Sequence, residues 1–271
     1  MQPTRKNALK NAFLKLHKSK IESAWLDSEL ILSFVLKKSR SEILAYDEKL
    51  LTKTQAQTFN KLINKRAQFV PIAYILGYKE FFGLKFKVTK DTLVPRPESE
   101  LLVEEARKTT DKNSIVIDIG TGSGCLLISV IKNTKAKGIG LDISAKALLI
   151  AKHNAKNNKV NKRIKFIKSN LLSNLKVNKN KNLIILANLP YLNEKEMKEK
   201  SISREPHQAL YGGKDGLDYY KKLAKQLKQY SHYTLLCEIN PGQKKSFTKI
   251  FPNAEFKKDL SGKIRLVIVR K

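Results

Sequence analysis

At 271 residues and a net charge of +30, the chain has room for one large α/β domain and a smaller module. Its hydrophobic fraction of 41% supports a packed core, while no run approaches the ~20 apolar residues that cross a bilayer, which sets aside a helical membrane-spanning class. Cys125 and Cys237 stand far apart without zinc or disulfide spacing, which suits core positions in a reducing compartment, the cytoplasm.

The first acidic residue is Glu22, and the basic stretch before it (Arg5, Lys6, Lys10, Lys15, Lys18, Lys20) has the charge of a targeting peptide. It is rich in Lys rather than Arg and Ser, and Ala8, Phe13 and Leu16 read as the start of a helix that belongs to the fold. From Asn7 to Gln68 the helical period continues through Leu26, Leu30, Phe34, Phe59, Leu62 and Ile63 with no Gly or Pro, which predicts a helical domain over residues 1–73. Between Tyr74 and Val94 the period shifts toward two: Phe82, then Leu84, Phe86 and Val88 after a turn at Gly83. This predicts a linking β-hairpin over 74–94.

In the remaining 95–271, short β-rich runs alternate with helical stretches from Ser114 onward: Ile115–Ile119, Gly138–Asp142, Ile164–Lys168, Leu183–Ala187 and Thr234–Ile239. That alternation predicts βαβ units around a parallel sheet covered on both faces. The last two runs, Glu255–Leu260 and Ile264–Val269, are too close for a helix between them and should pair antiparallel. By analogy this α/β arrangement, a Rossmann-like, mostly parallel sheet ending in an antiparallel hairpin, is that of class I methyltransferases. Asn178–Asn182 is expected to be a polar loop. His17, His153, His207 and His232 show no ligand spacing, so no metal is expected.

Ile115–Ile119 runs into Gly120-Thr121-Gly122-Ser123-Gly124 and then the helical Leu126–Ile131. Glycines there let the backbone approach a ligand, and a helix start can bind a carboxylate. The G-x-G-x-G spacing leans toward S-adenosylmethionine rather than a dinucleotide. Asp142, at the end of the next strand, can accept bonds from both ribose hydroxyls. Alternatively, the glycines form only a tight turn and Asp142 caps the helix near Ser144. Asp118 either orients the loop or faces the cofactor amine.

Asn188-Leu189-Pro190-Tyr191 follows the fourth strand at its carboxyl end, where open α/β sheets bind ligands. An amide nitrogen is a poor nucleophile because its lone pair is delocalised. Two fixed acceptors on its N–H groups would hold it in line with a sulfonium methyl and favour charge on it. The Asn188 side-chain oxygen and the Leu189 carbonyl can be those acceptors, Pro190 restricts the carbonyl direction, and Tyr191 can wall the planar amide. The bland reading of the tetrapeptide is an Asn-x-Pro turn.

Tyr74-Ile-Leu-Gly77, Phe81-Phe-Gly-Leu-Lys-Phe86, Val94-Pro-Arg-Pro-Glu-Ser-Glu100, Glu205-Pro-His-Gln-Ala-Leu210, Gly212-Gly213-Lys-Asp-Gly-Leu217, the Gln243 segment and Asp259-Leu-Ser-Gly-Lys-Ile-Arg265 occur in order. With the loop above, they resemble the HemK-type (PrmC) peptide chain release factor glutamine methyltransferases over nearly the whole length. The resemblance implies that Gly120 to Gly124 and Asp142 bind S-adenosylmethionine. It implies that Asn188, Leu189, Pro190 and Tyr191 bind the glutamine of a release factor's Gly-Gly-Gln loop, and that the helical domain binds the release factor. Two positions depart from the family: Leu189 stands where it has the first Pro of Asn-Pro-Pro-Tyr, and Ser169-Asn170-Leu171 lacks its acidic residue near the adenine. Asn170 can still hydrogen-bond and Leu171 can pack on the base, so cofactor binding is expected to weaken rather than vanish. Competing readings are a DNA or RNA adenine methyltransferase, a ribosomal-protein glutamine methyltransferase, and an inactive release-factor or RNA-binding scaffold. The scattered Lys excess suits non-specific RNA contact through a basic surface, and an AT-rich coding bias equally well.

Overall fold

Three short polar side chains start three of the helices in the N-terminal part of the chain. Thr4 accepts the Asn7 N–H at 3.2 Å and opens α1 (Arg5–Lys18). After α2 (Ala24–Leu36), Ser39 caps α3 (Arg40–Ala45), and a reciprocal capping box between Thr52 and Gln55 opens α4 (Lys53–Ala67). Leu9, Leu16, Ile31, Leu32, Phe59 and Ile63 meet in the core of this helical unit. Inside it the buried Asp27 carboxylate takes the Arg66 guanidinium at 2.7 Å. A last short helix, α5 (Ile72–Leu76), stops at Gly77, whose φ of +79° ends the turn in the left-handed region.

The computed structural model describes residues 2–178 and 181–271, which form two units: Met1–Gly77 with Lys200–Arg204, and Tyr78–Glu199 with Glu205–Lys271. The boundaries correct the expectation of a 1–73 domain followed by a 74–94 linker. Tyr74 is helical, and the strands of the hairpin are β1 (Tyr78–Phe81) and β2 (Leu84–Lys87), paired with Tyr78 opposite Lys87. The hairpin belongs to the second unit. Phe81 and Phe86 are buried in its core beside Leu102 and Val103, and Asn154 clamps β2 by accepting the Lys87 N–H at 2.8 Å and donating to the Lys87 carbonyl at 3.0 Å. An alternating pattern reveals a strand but not the core that receives it. The helical unit also takes in Lys200–Arg204, where the Arg204 Nε donates to the Gln68 carbonyl at 3.2 Å, a pairing no local pattern reveals.

The second unit continues through α6 (Glu100–Thr109), β3 (Ile115–Ile119), α7 (Cys125–Lys132), β4 (Lys137–Asp142), α8 (Ala145–Asn157), β5 (Ile164–Lys168) and β6 (Leu183–Ala187). It then runs through α9 (Asp218–Leu227), β7 (Tyr233–Glu238), α10 (Lys244–Ile250), β8 (Glu255–Lys258) and β9 (Ile264–Arg270). Of the polar loop at 178–182, Lys179 and Asn180 lie outside the described residues.

Strand order is β5-β4-β3-β6-β7-β9-β8, with β9 antiparallel to β7 and to β8 and the other pairs parallel. Successive side chains of a strand point to opposite faces, and here both are buried. Ile117, Ile185, Leu235 and Val267 meet Tyr220, Leu223 and Phe247, while Val116, Ile184, Leu236 and Ile268 pack with Leu102, Val103 and the apolar face of α7. Burial on both sides explains why these strands read as continuous apolar runs. From β3 the chain winds outward through β4 and β5, then returns to place β6 on the other side of β3. The carboxyl ends of β3 and β6 therefore flank a topological switch point, the place where such sheets hold ligands.

Candidate active site

The turn from β3 into α7 passes through three left-handed glycines, Gly120, Gly122 and Gly124. At Gly124 the requirement is double: φ is +82°, and a Cβ would stand 2.8 Å from Ile128 Cδ1 and 3.2 Å from the Ala151 Cβ, where α7 and α8 close together. Asp118, 1% exposed, accepts the Thr121 hydroxyl at 2.7 Å, and burial pushes its carboxyl up to about 7. Its place is under the loop, which it orients.

Asp142 ends β4 and does two things at once. Its Oδ2 accepts the Gly122 N–H and its Oδ1 the Ser144 N–H, both at 2.8 Å, while Ser144 itself caps α8 through the Ala147 N–H. Burial raises its carboxyl above the usual range. The cap of α8 is therefore Ser144 and not Asp142, and each Asp142 oxygen, holding one backbone donor, keeps a second lone pair that can accept a hydroxyl.

A cavity of about 310 Å³ opens beside this turn, lined by Gly120, Gly122, Asp142, Asn170, Leu171 and Asn188, with Leu189 and Pro190 next to them. Leu171 is buried with φ +52°, a conformation costing roughly 1–2 kcal/mol for a side chain with a Cβ, and the Ser169 hydroxyl holds its carbonyl at 2.8 Å. Four expected site residues do not line the cavity. Thr121 is turned to Asp118, the Ser123 carbonyl accepts Asn154 Nδ2 at 2.8 Å, Gly124 packs on Ile128, and Tyr191 is tied elsewhere. A loop that curls back into a helix turns part of its residues inward, so they serve the turn. Leu93, Ile143, Gln208 and Tyr219 line the cavity without having been expected there. Position supplies the only signals: Ile143 follows Asp142, and Gln208 lies in the Glu205-Pro-His-Gln stretch.

Beyond β6, Asn188 is anchored by its nitrogen. Nδ2 donates to Ser99 Oγ at 2.9 Å and to Glu238 Oε2 at 3.1 Å, and Ser99 donates to that same oxygen at 2.5 Å. Tyr191, expected as a wall for the substrate, is half-buried and donates its hydroxyl to Glu238 Oε1 at 3.0 Å. Glu238, at the end of β7, is 1% exposed, and burial holds its carboxyl above the usual range. With the Asn188 nitrogen committed inward, its Oδ1 is the end left to accept a hydrogen bond. Neither Glu238 nor Ser99 was singled out from sequence. The signal was a carboxylate closing the apolar run Leu235-Leu-Cys237.

Downstream segments back the loop. A Cβ at Gly212 would lie 2.3 Å from the Pro190 carbonyl oxygen, and one at Gly216, where φ is +71°, 2.1 Å from that of Tyr191, so only glycine admits this approach. Gln243 Nε2 donates to the Tyr191 and Asp215 carbonyls at 3.0 and 3.1 Å. The Val94-Pro-Arg96 and Glu205-Pro stretches form one feature, since buried Glu205 accepts the Val94 N–H at 3.0 Å and pairs with Arg96.

The family model for the PrmC N-terminal domain matches residues 7–77, and that for ribosomal protein L11 methyltransferase (PrmA) matches residues 99–192. The release factor glutamine methyltransferase of Buchnera aphidicola subsp. Acyrthosiphon pisum is 37% identical over 98% of each chain. That of Dictyoglomus turgidum is 37% identical over 81% of this chain and 79% of its own. Among solved structures, the hMettl16 catalytic domain in complex with an RNA hairpin shares the fold, with a TM-score of 0.51 at 15% identity, covering 83% of this chain and 84% of its own. The glycine turn, the Asp142 position and the anchored Asn188 loop thus sit in a chain that belongs to the release factor glutamine methyltransferase family.

Proposed function

We propose that this chain transfers a methyl group from S-adenosylmethionine to the side-chain amide nitrogen of the glutamine in the Gly-Gly-Gln motif of a peptide chain release factor, in the cytoplasm. The observation that carries the reading is Asn188 itself, fixed by its nitrogen at the wall of a cavity with its oxygen free to accept. The cavity fits the cofactor. Asp142 offers two further lone pairs for ribose hydroxyls, Gly120 and Gly122 put no side chain in the way, and Leu171 supplies an apolar wall. Its size falls in the ~300–1,000 Å³ range of small-molecule sites.

Bound there, S-adenosylmethionine supplies a methyl on a sulfonium, an electrophile that needs no acid-base triad. Asn188 Oδ1 and the Leu189 carbonyl accept the two N–H groups of the substrate amide, turn its nitrogen toward the methyl and favour positive charge on it. The amide loses one proton to solvent as the N–C bond forms, which restores its neutrality. The helical unit is the proposed docking module for the release factor, and the Lys-rich surface supports non-specific RNA contact.

Labelled methyl transfer offered to release factor, ribosomal protein and RNA in parallel tests this assignment. Incorporation into release factor at its Gly-Gly-Gln glutamine is expected, with RNA binding that weakens steeply with salt and leaves RNA unmethylated. Equal incorporation into RNA would sink it. Leu189→Pro keeps the carbonyl and restores the family loop, so kcat is expected to stay at or modestly above the parental value. Turnover by Leu189→Pro alone would make the parent a binding protein without activity.

A further inference from the structure

A primary carboxamide has two ends of nearly equal size and opposite hydrogen-bonding sense. Asn188 works as an acceptor only if its oxygen points to the substrate, because the reversed amide would aim N–H donors at the N–H groups of the glutamine. Something in the protein must choose between the two.

Ser99 cannot, since a hydroxyl both donates and accepts. Glu238 can. One of its oxygens, Oε2, takes both Asn188 Nδ2 and the Ser99 hydroxyl, while Oε1 takes Tyr191, so the side chain stands as the acceptor toward all three partners. With Ser99 donating to Glu238, its lone pairs are what remain for Asn188 Nδ2, so the hydroxyl becomes an acceptor toward the amide as well. The polarity of the whole group is dictated from one buried carboxylate at the end of β7.

We infer that Glu238 is a positioning residue that sets which end of the Asn188 amide faces the substrate. It touches no reacting atom, and its effect on the substrate amide passes through Asn188, while its other oxygen holds Tyr191. The inference rests on the proposed glutamine methylation. Replacing Glu238 by Met keeps an unbranched side chain of similar length but removes the acceptor. The Ser99 hydroxyl then needs a new partner, and the Asn188 amide it already touches can supply one by turning its Oδ1 inward, which is the inactive orientation.

Single-turnover methyl transfer to isolated release factor tests this, with thermal melting and cofactor calorimetry as controls of the fold. Glu238→Met is expected to lower kcat by roughly 10–100-fold, the scale of one misdirected transition-state hydrogen bond, with KM for release factor nearly unchanged. Glu238→Gln, which retains one accepting oxygen, should recover most of the loss. The double variant Asn188→Ala/Glu238→Met should be no slower than Asn188→Ala. Parental kcat in Glu238→Met while Asn188→Ala is slow overturns the positioning role, as do losses that multiply in the double variant. Parental kcat in Asn188→Ala overturns the amide-acceptor reading beneath it. Should Glu238→Met fail to fold, the Asn188 side-chain NH₂ of the parent protein, assigned in NMR spectra by its disappearance in Asn188→Ala, still reports the polarity. Slow exchange of its protons with solvent is expected, and fast exchange overturns the inference.

Discussion

Asn188→Ala should slow methyl transfer to a release factor by ~10²–10³ in single turnover, the scale seen when one preorganised transition-state hydrogen bond is removed. Oδ1 is held at the cavity wall before substrate arrives, because Nδ2 is already bound to Ser99 and Glu238. Its contribution therefore costs little reorganisation during the reaction. The truncation leaves one amide N–H of the glutamine without its acceptor and lets the amide turn out of line. Binding of the release factor should change much less, since a whole protein surface contributes to it. A variant that methylates as fast as the parent would show that the amide is activated by other groups.

The second large effect is expected on cofactor affinity. Asp142→Ala removes the acceptor proposed for the ribose hydroxyls and strips the Gly122 and Ser144 N–H groups of their partner. A hydrogen bond to a charged group contributes about 1.5–3 kcal/mol, so affinity for S-adenosylmethionine should fall at least ~10-fold, at 1.4 kcal/mol per tenfold. The glycine turn should also loosen, which would appear in calorimetry as a less favourable enthalpy. Gly122→Val, at a position with φ +54°, should weaken binding by a separate route, filling space beside the cavity. Unchanged affinity in both folded variants would remove the cofactor from this pocket.

How far the site could be read from sequence follows the range of the interactions that build it. The strands were legible because burial on both faces leaves uninterrupted runs such as Leu183–Ala187, and the glycine turn because φ values near +70° leave a residue-type trace. Asp142 was legible from its place at a strand end. For Tyr191 the sequence offered a ring beside the substrate but not the partner of its hydroxyl, Glu238, which lies far along the chain. Glu238 and Ser99 meet across a still longer separation, and nothing local in either segment announces the other. The start of the hairpin was placed too early for a related reason. Ile72–Leu76 is too short to show a period, and only Gly77 marks where it ends.

Lys200–Arg204 gives the chain an uneven modularity. The helical unit is written in two places, so the backbone passes between the units after Gly77, after Glu199 and after Arg204. A shortened protein beginning at Tyr78 would still carry five residues of the missing unit, among them an Arg204 deprived of the Gln68 carbonyl. Exchanging the helical unit with that of a relative is likewise not a single cut and splice. Any lineage that changed its helical unit by recombination would have to bring the matching 200–204 insert with it. The two stretches are therefore expected to be inherited together, although more than a hundred residues of the second unit lie between them.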